Sequence, residues 1–107
     1  MSGPQVQRGE IWLVDLGMVA KVRPVLILSV AYAGQERSLV TFVPRTTSVR
    51  GTRFEVVHSG RGFDAGAFDA QGIATVPTVQ LLRRLAIIDG PTLAKVEEAV
   101  KHWLGLK

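Results

Sequence analysis

The chain contains no cysteine, which rules out disulfides and any metal site built on thiolates. Its two histidines, His58 and His102, lie far apart, so no zinc or iron centre is expected. Apolar residues never run long enough to span a bilayer: the longest stretch, Pro24 to Ala33, is roughly half of what a membrane helix needs. The first residues lack a basic segment followed by an apolar core, so a secreted route is unsupported and a cytoplasmic location is expected. Familiar signatures are missing as well. There is no G-x-S-x-G, no Walker loop, and no G-x-G-x-x-G opening a helix. The glycine-rich "GRGFDAG" lies between strands and lacks the Lys-Ser/Thr pair that would hold a triphosphate. One further absence is local: no acidic residue occurs from Leu39 to Phe54.

At 107 residues with 47% hydrophobic side chains, the chain has material for one core and no second. The first seven residues, "MSGPQVQ", read as a disordered tail, leaving residues 8–107 as a single domain. The net charge of +4 suits an anionic partner. Basic side chains gather at Lys21, Arg23, Arg45, Arg50, Arg53, Arg61, Arg83 and Arg84, and the preference for arginine favours bidentate phosphate recognition over simple solubility.

Alternation predicts a strand in "EIWLVDL", Glu10 to Leu16. "PVLILSV" from Pro24 is a near-continuous β-rich run suited to a strand covered on both faces. A third strand, Ser38 to Pro44, is expected to stop at the proline, which removes a ladder donor. Arg53 to Ser59 alternates again. "GRGFDAGAFDAQG", with four glycines in thirteen residues, predicts loop with at most a turn of helix. Ile73 to Ile88 reads as one or two strands interrupted at Pro77. The period then changes: Leu93, Val96, Val100, Trp103 and Leu104 share one helical face, with Pro91 in the first turn and Gly105 at the stop. Five or six strands and one amphipathic helix make a mainly β domain, a small bent sheet or barrel covered by the helix.

Arg23 precedes a proline at a strand entrance, which restricts its backbone. It could clamp a phosphoryl oxygen or pair with a carboxylate such as Asp15. Thr46 and Thr47 follow Arg45; in a strand they point to opposite faces, so one hydroxyl can face a cleft while the other braces the loop, or both can bond local backbone. A fixed arginine, a hydroxyl pair and surrounding positive charge suit metal-free phosphodiester cleavage in RNA, where the ribose 2′-OH is the nucleophile and the protein positions it and stabilises charge. His58 has a suitable titration range for proton transfer but equally fits a half-exposed strand position.

"RGEIWLVDL", "VRPVLILS" and "FVPRTTSVRGTRFEVVHSG" resemble, in order and spacing, the MazF/PemK family of toxins from bacterial toxin–antitoxin pairs. The likeness spans Arg8 to about Gly60 and extends to the final helix. It implies a small SH3-like curved β-barrel with a C-terminal helix, the fold shared with CcdB-type toxins, acting as a cytoplasmic homodimer. It further implies a metal- and cofactor-independent endoribonuclease that cuts single-stranded RNA to a 2′,3′-cyclic phosphate and is blocked by an acidic antitoxin. The family's R-P arginine falls on Arg23 and the first threonine of its T-T pair on Thr46, as catalytic residues. The family gives that arginine a part in proton transfer, whereas a guanidinium, a donor-only group, favours charge stabilisation.

On the same reading Arg45, Thr47, Arg50, Arg53, Asp69 and Gln71 bind RNA, the last two standing in for the family's D-Q motif with one residue between them. The loop from Gly17 to Val22 is shorter than the family's and lacks its Ser-Glu-Gln segment. A non-catalytic alternative on the same fold, a gyrase poison acting through Trp103, Leu104 and Gly105 or a binder of RNA or antitoxin, would not require the R-P and T-T elements.

Overall fold

A computed structural model describes residues 5–17 and 21–107. Seven strands precede one helix: β1 Glu10–Asp15, β2 Val22–Ile27, β3 Leu39–Thr46, β4 Glu55–Gly60, β5 Phe63–Asp69, β6 Ala74–Pro77, β7 Leu81–Ile87, then α1 Gly90–Leu104. They form one antiparallel sheet in the order β4-β5-β3-β2-β1-β7, with β6 also paired to β3. The sheet curls because β3 changes neighbours along its length. Leu39 to Phe42 face β6, Phe42 to Pro44 face β2, and Arg45 and Thr46 face Phe68 and Ala67 of β5.

Period-2 alternation sends the apolar side chains to both faces of this curl. Trp12, Val14, Val25, Ile27, Val40, Phe42 and Leu81 form one cluster, while their chain neighbours Ile11, Leu26 and Val43 join Phe68, Ile88 and Val96 in another. Burial on both faces explains the unbroken apolar run of β2. The helix closes the second cluster with Val96 and a third with Ala99 against Phe54 and Ala70. Its ends follow the sequence: the Asp89 carboxylate accepts the Thr92 N–H at 2.9 Å, Pro91 occupies the first turn, and Gly105 ends the helix at φ 71°. No helix among the described residues is long and apolar enough to cross a membrane.

Two strand boundaries differ from expectation. β3 does not end at Pro44; the proline stands opposite Val25, and the strand runs on to Thr46 by pairing with β5. The glycine-rich stretch expected to be loop is largely β5, with a single 3-10 turn at Ala70–Gly72. Gly66 is there for space: a Cβ at this position would overlap the Thr46 carbonyl oxygen and lie 2.8 Å from Arg45 Nη1. Near the start of the chain, Val6 packs against the Trp12 cluster and the Gln7 N–H donates to Glu10 at 2.8 Å. The rest of the expected tail, residues 1–4, lies outside the described residues.

Arg45 is the main departure. It was expected on an RNA surface, yet it is only 5% exposed and sits between β3, β4 and β5. Its Nε donates to His58 Nδ1 at 2.9 Å, one terminal nitrogen donates to the carbonyls of His58 and Asp64 at 2.8 and 2.5 Å, and the guanidinium lies 5.0 Å over the Phe63 ring. The physical reason is that β3 alternation turns this position inward, where strand carbonyls satisfy the buried donors. His58 is likewise buried, packed on Phe63 and Phe68. Burial first, then the Arg45 charge, lowers its pKa below the usual 6.5, with Asp89 opposing weakly.

Two stability outcomes follow from this packing. Gly66→Ala should cost about 3 kcal/mol in urea unfolding, because the new methyl meets backbone that cannot yield. Since His58 is held neutral in the fold, only the unfolded chain gains its proton just below pH 6.5, so stability is complete above that pH and declines as pH falls towards the lowered folded pKa. Melting temperature should therefore drop between about pH 7 and pH 5, and His58→Asn, which retains an acceptor near Nδ1 but cannot titrate, should flatten that drop.

Candidate active site

Where β3 passes from β2 to β5, the strand ends enclose a cleft of about 230 Å³. Arg23 of β2 and Thr46 of β3 both line it, joined by Arg50 from the 47–54 loop, Asp69 from β5 and Gln71 from the 3-10 turn. Five of the sequence-selected residues thus meet in one place.

Arg23 faces Val14 across the β1–β2 ladder, is exposed, and makes no side-chain hydrogen bond or ion pair among the described residues. Asp15, its possible carboxylate partner, instead accepts the Gly17 N–H at 2.9 Å. The guanidinium is left with its donors available, on a backbone restricted by Pro24.

Thr46 is oriented by its own turn. Its Oγ1 accepts the Ser48 N–H at 3.0 Å, which leaves the hydroxyl proton to be donated into the cleft. The two readings of this threonine, local brace and cleft hydroxyl, therefore describe the same geometry. Thr47 points elsewhere: it is exposed and is not among the cleft residues.

Arg53 is also outside the cleft. Its guanidinium lies 4.6 Å over Phe54, and it borders a separate groove with Val56, Lys95 and His102 against α1. Arg45 is the buried clamp behind Thr46, and His58 has its Nδ1 committed to that clamp. Neither reaches the cleft, so neither a phosphate contact by Arg45 nor proton transfer by His58 is retained.

Sequence reasoning missed Glu55. It lines the cleft and stands directly opposite Asp69 in the β4–β5 ladder. Its Oε1 accepts the N–H groups of Arg50 and Thr52, each at 3.0 Å, and Oε2 accepts Arg50 again at 3.2 Å. The Thr52 bond is the main reason its pKa falls below the usual carboxylate value; burial opposes it next, and the Arg50 and Gly51 N–H groups and the Arg50 charge tip the balance downward. Asp69 Oδ1 caps the 3-10 turn by accepting the Gln71 N–H at 3.0 Å. Both carboxylates of the cleft are therefore engaged with backbone donors. The available signal for Glu55 was its place at the end of a glycine-containing loop whose N–H groups needed an acceptor. The shortened segment between β1 and β2 includes residues 18–20, which lie outside the described residues.

Known proteins share the sequence pattern and fold of this chain. The sequence model of the PemK-like, MazF-like toxins of type II toxin-antitoxin systems matches residues 7–104. No curated protein matches the chain by sequence. Among solved structures, the chain is similar to an endoribonuclease in complex with its cognate antitoxin from a mycobacterial species, at 26% identity over 96% of this chain and 98% of that one, with a TM-score of 0.83. It is similar to the Mycobacterium tuberculosis toxin MazF-mt6 at 27% identity over 92% and 98% of the two chains, with a TM-score of 0.79. A MazE-MazF structure from Deinococcus radiodurans shares the fold at 22% identity, covering 95% and 97%, with a TM-score of 0.80. With its curled sheet, its terminal helix and a sequence match across nearly its whole length, the chain belongs to the PemK-like, MazF-like toxins of type II toxin-antitoxin systems.

Proposed function

We propose that the protein cleaves single-stranded RNA without a metal ion, using the substrate's own 2′-OH as nucleophile. The observation that carries this reading is the meeting, in one cleft, of an Arg23 guanidinium with no side-chain partner among the described residues and a donor-oriented Thr46 hydroxyl. In the reaction the 2′-OH gives up its proton to solvent and its oxygen bonds to phosphorus while the bond from phosphorus to the 5′-oxygen breaks and that oxygen takes a proton from solvent, giving a 2′,3′-cyclic phosphate and a 5′-OH. The non-bridging oxygens gain charge at the transition state, and Arg23 and Thr46 are placed to donate hydrogen bonds to them. Arg50 supplies a second cation, and Asp69 and Gln71 offer polar edges to the bases beside the scissile phosphate.

The cellular role under this reading is that of a cytoplasmic toxin restrained by an acidic antitoxin segment that occupies the same cleft and folds on binding. Under the same reading the toxin acts as a homodimer.

The test is incubation with a long unstructured RNA in EDTA, followed by sequencing of the cut sites and analysis of their ends. Wild-type protein should give discrete cuts with cyclic phosphate ends. Arg23→Ala and Thr46→Val, both shown folded, should each lower the cleavage rate about 10²- to 10³-fold. Undiminished cutting by either variant removes that residue from the mechanism, and intact RNA with folded wild type would falsify the nuclease reading.

A further inference from the structure

We propose that Glu55 is the positioning residue of the cleft: its carboxylate gathers the backbone of the 47–54 loop and thereby aims Arg50 at the RNA backbone. This rests on the endoribonuclease reading of the cleft and adds a residue whose part is played through another.

The loop needs an organiser. From Thr47 to Arg53 every residue is exposed, and Gly51 takes a left-handed turn at φ 74°. Loop backbone bonds are few: the Glu55 N–H donates to the Thr52 carbonyl at 3.2 Å, and the Phe54 N–H reaches Thr52 Oγ1 at 3.3 Å. Against these, one carboxylate holds the N–H groups on both sides of Gly51. Glu55 is itself fixed, because β4 holds it in register with Asp69 of β5. A rigid ladder position therefore sets the conformation of the exposed 47–53 stretch, whose apolar anchor, the buried Phe54, lies only at its end.

The charge makes the same point. An anionic side chain lining a site for a polyanion repels the ligand, and N–H dipoles bonded to it offset part of that repulsion. Here the Arg50 and Thr52 N–H groups supply those dipoles, so the carboxylate is directed at the loop. A general base requires a pKa near the working pH, whereas the Glu55 pKa is lowered away from it and three of its roughly four acceptor sites are taken by loop N–H groups.

A three-protein comparison separates these roles. Wild type, Glu55→Gln and Glu55→Ala, each confirmed folded by circular dichroism, are assayed on one single-stranded RNA in EDTA for KM and kcat from pH 5 to 9. Amide exchange is measured in parallel at Arg50 and Thr52. Glutamine retains a side-chain oxygen for the loop, whereas alanine retains none. Glu55→Ala should raise KM about tenfold with kcat changed less than about threefold, while Glu55→Gln stays within about threefold of wild type in both with an unaltered pH profile. Exchange at Arg50 and Thr52 should quicken about tenfold or more in the alanine variant.

A glutamine variant as slow in kcat as alanine, with a pH limb abolished, would make Glu55 a proton-transfer group and overturn the proposal. Unchanged exchange together with unchanged RNA affinity in Glu55→Ala would overturn it too. If wild type leaves the RNA uncut, the nuclease reading fails separately, and the exchange data with binding of the intact RNA still decide whether Glu55 positions the loop.

Discussion

The position of β3 constrains everything else in this domain. A strand of eight residues has to satisfy β6, β2 and β5 in turn, and the curl of the sheet is the consequence. The handover to β5 comes beside Pro44, where a ladder donor is missing and continued pairing is least secure. Arg45 reinforces that point. Its guanidinium ties β3 to the carbonyls of His58 and Asp64, so strands that share few ladder bonds are joined by charge-assisted ones. Gly66 lets the backbones approach closely enough for this to happen.

The cleft is a by-product of the same handover. Strand ends that diverge leave backbone groups unpaired, and side chains on those ends point into shared space. Thr46 is the last residue of β3, Asp69 the last of β5, Glu55 the first of β4, and Arg23 the second of β2. Because each is anchored in a ladder, the site rests on rigid elements, with Ser48, Arg50 and Thr52 delivered by the loop and Gln71 by the 3-10 turn. The inward residue before Thr46 and the outward residue after it follow from alternation, which assigns Arg45 to the core, Thr46 to the cleft and Thr47 to solvent.

Much of this was legible in the sequence. The amphipathic period of α1 with Pro91 and Gly105 at its ends and the alternation of β1 depend on local rules that the structure follows, and Arg23 and Thr46, matched through the family resemblance, line one cleft. What escaped depends on non-local contact. Arginine is ordinarily a surface residue, and only the carbonyls of β4 and β5 make burial of Arg45 tolerable; nothing near position 45 in the chain announces them. Glycines in β5 read as loop by composition, but at Gly66 the missing side chain makes room for Thr46 and Arg45, residues twenty positions or so earlier. Glu55 was hidden by its place in an alternating strand, where a charged residue ordinarily faces water.

The charge balance of the cleft favours an anion despite an even count. Arg23 and Arg50 contribute two cations, and Glu55 and Asp69 contribute two carboxylates. The carboxylates, however, are bonded to loop and turn N–H groups, so each anion is partly compensated by aligned peptide dipoles at about 3 Å. The Arg23 guanidinium has no such partner among the described residues. A phosphate entering the cleft therefore meets uncompensated donors from Arg23 and Thr46 and carboxylates whose fields are blunted. Under the proposed reading the acids order the backbone while the cation is left for the substrate, a division that depends on the two carboxylates sitting at the β4 and β5 ends near the backbone donors they bind.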